Sequence, residues 1–415
     1  MASTASLYLR RRVAVQLLLG YGSGLPYLLS GETLGTWMAS EGINLKTIGV
    51  FSMVGLAYTF KFAWAPLLDR YPVPVLGRRR GWMLLFQLLL GAAIIALGTA
   101  DPVHGPLRAA LLALQVAVLA ASQDIVVDAY RTDVLREEER GAGVALFTFG
   151  YRMGMLAAGA GALILADKVG WAHDYRILGA TMGIGVLGTL LAPEPERHVA
   201  RPRSVVDAYV RPFQDLFSRP SAGLILSFVL LYRLGYLLAT PMNAPFLIKI
   251  GFAKASIAYY RKGVGLLATL FGGLLAGPAE ARLGLRRSLL VFGLLTALVH
   301  LSWVALAYTG PKPYMLAITI GVENVCIGLS VTAFEAYLMA LCNSSYSATQ
   351  FAVLAATQSA AGRLLGGLSG FCAAALGWPL FFGATTLLVL PSLFMVSRLP
   401  RTEPSDEAER PATAR

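Results

Sequence analysis

The stretch SQDIVVDAYRTDVL, residues 122–135, decides the fold. It carries three aspartates, a glutamine, a tyrosine and an arginine inside a long apolar segment. Asp124 and Asp128 are four apart, so on a helix they share one face. Water would solvate such a face on a soluble protein. In a bilayer each ionisable group is costly and marks function or a partner. Composition decides between the two settings. Of 415 residues 56% are hydrophobic and 14% charged, and the mean hydropathy is +0.63, whereas a soluble domain carries about 25% charged residues. The expectation is an all-α, polytopic membrane protein.

A spanning helix needs about 20 apolar residues. Twelve segments qualify: 13–37, 47–68, 82–100, 107–133, 141–166, 174–192, 221–247, 255–281, 287–309, 313–341, 348–375 and 378–397. The connection from Pro193 to Pro220 is longer, polar, proline-rich and basic. It divides the chain into an N-terminal six-helix half (1–192), a cytoplasmic linker (193–220) and a C-terminal six-helix half (221–400), with 401–415 as a charged, disordered cytoplasmic tail. The net charge of +12 sits in short clusters between apolar runs: Arg10–Arg12, Arg78–Arg80, Arg136 and Arg140, the linker, Arg282, Arg286 and Arg287, and Arg398 and Arg401. These alternate onto one side, which is the positive-inside pattern and not a nucleic-acid stripe. Both termini are therefore expected in the cytoplasm. The first apolar run continues past Gly20 to about Trp37 without a small-residue cleavage site, so it reads as a retained helix and not a signal peptide. Cys326, Cys342 and Cys372 lack metal-ligand spacing and read as packing residues.

The chain repeats. Gly77 and Gly284, Asp128 and Glu335, and Trp171 and Trp378 are each 207 residues apart. One offset joining three separate places indicates two homologous, pseudo-symmetric halves. Parallel six-helix halves are the architecture of major facilitator transporters, with the substrate site between them near the midplane.

Depth along each span, at about 1.5 Å per residue, puts Lys61, Arg152, Arg233, Arg363 and Glu323 near the membrane middle. Asp124 falls somewhat below it, and Asp128 and Glu335 lie toward the cytoplasm. Glu32 lies near the outer end of the first helix, and Arg131 and Asp133 reach the inner interface, where snorkelling accounts for them. Buried charges commonly pair as struts, but pairing all eight of the deeper residues is an expensive way to hold helices together. A polar central cavity accounts better for the set. Arginine forks and the Lys61 ammonium suit substrate carboxylates, while Asp124, Asp128, Glu323 and Glu335 are candidates to carry a proton. The loop from Asp69-Arg70 to Gly77-Arg78-Arg79-Arg80 forms a second constellation, a conformational gate in which Asp69 docks on another helix N-terminus. Gly20, Gly22, Gly24 and Pro26, with Pro241 and Pro245, are candidate bending points. There is no phosphate loop, no H-E-x-x-H and no G-x-S-x-G, so neither an enzyme nor a resident cofactor or metal is expected.

YGSGLPYLLSGETLGTWM (21–38), LKTIGVFSMVGLAYTFKFAWAPLLDRY (45–71), GRRRGW (77–82), SQDIVVDAYRTDVL (122–135), EERGAGVALFTFGYRMGML (138–156), ENVCIGLSVTAFEAYLMALCNSSYSATQFA (323–352) and GRLLGG (362–367) together resemble the AmpG-type muropeptide permeases. The resemblance runs from Gly20 to Arg398. It implies a major facilitator of the bacterial inner membrane that imports N-acetylglucosaminyl-1,6-anhydro-N-acetylmuramic acid, with or without stem peptide, driven by protons. It also implies a role in peptidoglycan recycling and β-lactamase induction. Stem-peptide carboxylates would meet Lys61, Arg152, Arg233 and Arg363, and the sugar hydroxyls and acetamides Gln123, Tyr130, Tyr151 and Asn324. The expected partners are the muropeptide, protons as coupling ion and the bilayer, with the chain a monomer. Two departures stand out: Tyr236, where the family resemblance leads one to expect an acid, and Glu335, where many members appear apolar. The competing readings are a carrier of another anionic amide or sugar, such as the acetyl-CoA transporter branch, and a channel or membrane receptor. The duplicated halves favour a carrier over a channel.

Overall fold

A computed structural model describes residues 4–73, 76–195 and 204–399; the tail 401–415 and the side chains at 4–5, 45, 52, 254, 262 and 360–367 lie outside that description. The described residues form helices and no strand. We label the helical segments α1 (Arg11–Ser40), α2 (45–70), α3 (Arg80–Leu97), α4 (Pro106–Val134), α5 (Glu137–Val169), α6 (171–191), α7 (Ala222–Lys249), α8 (Ala255–Leu283), α9 (Leu285–Thr309), α10 (Pro313–Leu341), α11 (Ser347–Leu376) and α12 (Trp378–Val396). Among the described residues nine of these are long and apolar enough to cross a membrane. The other three are α2, which is broken into short α and 3-10 pieces, α6, which is interrupted at Met182, and the 30-residue α11. The chain is thus an all-helical, multi-span membrane protein.

Local chemistry sets the helix ends. Prolines occupy the first turns of α4 and α10, where a missing N–H costs nothing. The repeat is visible in the backbone: Gly77 and Gly284 have φ of 86° and 78°, and Gly170 and Gly377 have 78° and 72°. Each pair is 207 apart and ends or links helices in the left-handed region that glycine alone enters freely. Irregular helix recurs at the same offset, as a 3-10 turn at Ser52–Gly55 in α2 and a π turn at Tyr259–Val264 in α8. The first helix breaks at Ser30–Gly31, just after Pro26. In α7 the break lies at Tyr232–Arg233, and the helix runs unbroken through Pro241 and Pro245.

The halves meet along α2 with α11 and α5 with α8, while α4 touches α10 and α11. These seams exchange under the repeat. Packing differs between the two ends of the bundle. At the end holding the basic clusters, one hydrophobic core runs through both halves and includes Leu68, Tyr130, Phe147, Phe228, Phe334 and Phe351. At the other end there are two separate cores, one built from α1, α3, α4, α5 and α6 and one from α7 to α12. The expected linker contains a helix, Val205–Phe217, started by the Ser204 hydroxyl, which accepts the Asp207 N–H at 2.9 Å. This linker helix lies across the basic end. The Tyr209 hydroxyl donates to the Ala63 carbonyl at 2.8 Å, and Asp215 accepts from Gln350 at 2.7 Å.

Candidate substrate cavity and gate

The residues expected to form a gate come together from the last turn of α2, the following loop and the first turn of α11. Asp69 is 1% exposed. It accepts from Arg79 at 2.7 Å, from the backbone N–H groups of Ala348 and Thr349 at 3.3 and 2.9 Å, and from the Thr349 hydroxyl at 2.6 Å. A helix N-terminus offers free N–H groups and a positive dipole, so a carboxylate is well held there. Arg79, also 1% exposed, bridges Asp69 to Asp133 of α4 at 3.0 Å and donates to the Ser347 hydroxyl at 2.8 Å. Arg78 reaches the Ser345 carbonyl at 2.9 Å. Arg80 binds the Thr189 and Leu190 carbonyls that end α6, both at 3.2 Å. Arg70 lies over the Tyr71 ring at 5.3 Å. Gly77 is favoured by its positive φ of 86°, and the movable Glu194 carboxylate lies against it.

A second charged layer lies deeper. Lys61 is 3.4 Å from Asp128 and 4.0 Å from Asp124. Arg131 is 2.6 Å from Asp128 on its own helix and 3.5 Å from Glu335 on α10, and its guanidinium stacks 3.8 Å from the Phe147 ring centroid. This corrects the snorkelling assignment. Arg131 is 2% exposed, and Asp133 is bound by the buried Arg79. Both are enclosed where α4 crosses the other half, so they tie the halves together instead of reaching headgroups. Glu323 is enclosed within the C-terminal half, accepting from the Trp303 indole at 2.9 Å.

Two of the residues expected to meet sugars are fully enclosed. Tyr130 is 0% exposed and donates to the Pro193 carbonyl at 2.8 Å. Gln123 is 0% exposed and donates to Ser23 at 3.4 Å. Each lies on the face of α4 turned into its own half. Tyr151 is half-buried and packs 6.2 Å from Phe147. Arg233, at the break in α7, stacks 5.4 Å from the Tyr236 ring. The Arg363 side chain lies outside the described residues.

Away from the basic end, two adjoining cavities open beside α1. One, of about 610 Å³, is walled by α1 and α2, including Tyr27, Tyr58 and Thr36. The other, of about 560 Å³, lies between the halves and is lined by Arg152, Met155, Gly159, Arg261, Thr269 and Asn324. Glu32 and Thr36 line both. These are the volumes of small-molecule sites. Arg261 is a site residue that the sequence analysis passed over. It lies in the π turn of α8, an irregularity that hydrophobic periodicity does not reveal. A second π turn, Ala157–Gly161 of α5, contributes Gly159 to the facing wall, and π turns concentrate at functional sites. Asn324 is oriented by accepting from Thr269 at 2.9 Å and donating to the Ile320 carbonyl at 2.8 Å.

Two helical halves sealed at one end around a cavity whose largely apolar wall carries a few charged side chains define a secondary carrier of the alternating-access type. The Major Facilitator Superfamily profile matches residues 15–366. The chain belongs to that superfamily and, within it, to the AmpG-type permeases; it is a transporter and not an enzyme. It is 45% identical over 399 residues to the anhydromuropeptide permease of Escherichia coli K12, covering 94% of this chain and 81% of that one. It is 32% identical over 392 residues to the putative transporter AmpG 4 of Rickettsia conorii, covering 92% and 95%. Among solved structures, the proton:xylose symporter XylE bound to 6-bromo-6-deoxy-D-glucose aligns with a TM-score of 0.69 at 13% identity, covering 95% of this chain and 96% of that one. A bacterial homologue of the iron transporter ferroportin in its outward-facing state aligns at 0.64 and 16%, covering 94% and 97%. At those identities the likeness concerns the fold.

Proposed function

We propose that the chain imports anhydro-muropeptides, with or without stem peptide, from periplasm to cytoplasm in symport with protons. It thereby serves peptidoglycan recycling and β-lactamase induction. The observation that carries the reading is the inter-half cavity, open away from the sealed basic end and lined by two guanidiniums, Arg152 and Arg261, with no carboxylate within 4 Å among the described residues. A muropeptide supplies the missing anion. The kinship with a permease named for that substrate agrees with it. The positive-inside pattern of the basic clusters supports a cytoplasmic side for both termini and the gate, with the chain in a bacterial inner membrane. Residues 1–192 and 221–400 then act as two bodies that rock about the cavity, with 193–220 as their link.

In this reading Asp69, Arg79 and the α11 N-terminus hold the cytoplasmic side shut while the cavity faces the periplasm. Arg70, Gly77 and Arg80 shape that gate. Proton movement is assigned to the acids beside the path, namely Asp124, Asp128, Glu335 and Glu323. Glu335 is the best placed, because its pair with Arg131 crosses the interface, and Asp128 holds the same Arg131 from within α4. A proton on Glu335 frees Arg131 from the other half, which links protonation to separation of the halves, while a proton on Asp128 loosens Arg131 within its own helix.

The test is uptake of labelled anhydro-muropeptide into proteoliposomes with and without an inward proton gradient. The reading expects accumulation with the gradient and its collapse with an uncoupler. Folded, inserted protein that takes up nothing in either condition removes the substrate assignment. Uptake indifferent to the gradient leaves the carrier and removes the symport.

A further inference from the structure

We infer that Arg152 and Arg261 form a two-sided clamp for a single ligand carboxylate, and that this contact draws the two halves together around the ligand. The inference rests on the carrier reading above. It adds the chemical group that triggers closure and the pair of residues that sense it.

Arg152 belongs to α5 and Arg261 to α8, one from each half, and both are half-buried in the wall of the same cavity. The helices that carry them are the two that meet at the basic end. There a Cβ on Gly277 of α8 would lie 2.7 Å from the Ala142 Cα of α5, so the backbones are in contact. From that contact α5 and α8 run apart to the cavity, like two arms joined at one end. A ligand held between Arg152 and Arg261 therefore acts on the open ends of the arms.

The charges on the wall are unbalanced. Among the described residues the polar contact of Arg152 is a weak one, to the Met155 sulfur at 3.9 Å. Among the described lining residues of the two cavities Glu32 is the only carboxylate, and no cation comes within 4 Å of it. With Arg152 and Arg261 positive and Glu32 negative, the lining itself carries a formal charge of +1; the enclosed Glu323 of α10 lies behind it, within electrostatic reach of Arg261 but without an ion pair to it. Two guanidiniums facing one cavity repel each other across it, and in a site of lowered dielectric that repulsion is stronger than in water. A carboxylate placed between them converts the repulsion into two charge-assisted hydrogen-bond pairs, for which the planar fork of arginine is suited. A neutral sugar fills the same volume without removing the repulsion. Closure then follows the carboxylate. The π turns support the same geometry. Each π turn adds one residue to the helical repeat and so turns the following side chains by about 100°. Both arms carry one at the cavity, and Arg261 lies within its own.

The experiment compares N-acetylglucosaminyl-1,6-anhydro-N-acetylmuramic acid with its carboxamide, which differs only at the lactyl carboxyl. Uptake is measured for the wild-type chain, for Arg152→Gln and Arg261→Gln, and for Arg152→Lys and Arg261→Lys. A second readout is the distance between spin labels at Val103→Cys and Lys312→Cys, with Cys326, Cys342 and Cys372 replaced by alanine. The expected result is a KM at least tenfold lower for the acid than for the carboxamide in wild type, and a gap within twofold in either glutamine variant. The lysine variants should recover part of the gap. The acid should shorten the label distance in wild type and leave it unchanged in both glutamine variants. If Arg261→Gln still discriminates tenfold, or the acid still closes the glutamine variants, the clamp is overturned while the carrier reading stands. If wild-type protein takes up neither compound, the carrier reading fails and the clamp with it.

Discussion

The two ends of the molecule treat charge in opposite ways. At the basic end the charges are paired in two groups, Asp69–Arg79–Asp133 and Asp128–Arg131–Glu335, and one hydrophobic core passes through both halves around them. At the cavity end the cores are separate, and Arg152, Arg261 and Glu32 have no ion partner among the described residues. A buried charge whose partners are already present acts as a strut. One that faces an open volume without a partner is left for something that enters. The two groups should therefore fail differently when mutated: the first by loss of stability and gating together, the second by loss of affinity alone.

The largest effect should come from Asp69→Ala. It strands Arg79, which is 1% exposed, with Asp133 alone, and it uncaps the first turn of α11 at Ala348 and Thr349. Removing one partner of a buried pair costs about 3–5 kcal/mol. The unfolding midpoint in detergent should fall clearly, and surviving protein should show the basic end open in cross-linking between α2 and α11. An unchanged midpoint would mean that the gate contributes little to holding the halves together. Gly24→Ala comes next. A Cβ there would sit 2.0 Å from the Tyr151 carbonyl oxygen of α5, and overpacking of that kind costs about 1–3 kcal/mol, with backbone contacts at the top of the range. Low yield of folded protein with no rescue by substrate is the expected outcome.

Arg131→Gln should be smaller still, well below the cost of breaking a fully buried pair. Lys61 still holds Asp128 at 3.4 Å, and the Glu335 side chain keeps 31% of its exposure. Its signature lies in coupling: uptake should lose its dependence on the proton gradient more than its dependence on substrate concentration. Equal loss of both would make Arg131 a strut only.

The fold was legible because its signals are long-range and redundant. Apolar runs, basic clusters and one repeated offset all point to the same paired bundle. Of the site, the kinds of residue were legible and their facing was not. A spanning helix is apolar nearly all round, so position along α4 gives depth but not direction. That is why Gln123 and Tyr130 read as cavity residues and turn out to be enclosed, and why Arg131, placed by depth at the interface, is covered by the crossing of α4 and α10. Arg261 depends on a π turn that leaves no mark in a 3.6-residue pattern. The linker helix did leave a mark. Ser204 followed by Val206, Val210, Phe213 and Phe217 is an N-cap and an amphipathic stripe, and the proline and arginine content of 193–220 drew attention away from it.

The finest test of the contrast is Tyr130→Phe set beside Arg261→Gln. The Tyr130 hydroxyl makes one hydrogen bond, to the Pro193 carbonyl at 2.8 Å, where α6 passes into the linker. The phenylalanine ring fills the same space in the core, so only that bond is lost, at about 0.5–1.5 kcal/mol. The carbonyl left behind is partly buried and keeps access to water from the basic end, which holds the cost toward the lower figure. A small drop in unfolding midpoint with KM unchanged is expected. Arg261→Gln should do the reverse, raising KM for the acid about tenfold with little change in the midpoint, because Arg261 has no ion pair within 4 Å among the described residues and acts on the enclosed Glu323 only at longer range. If Tyr130→Phe raises KM instead while stability holds, α4 must turn that face toward the substrate in another state of the cycle. The division between struts and ligand contacts would then hold for one conformation only.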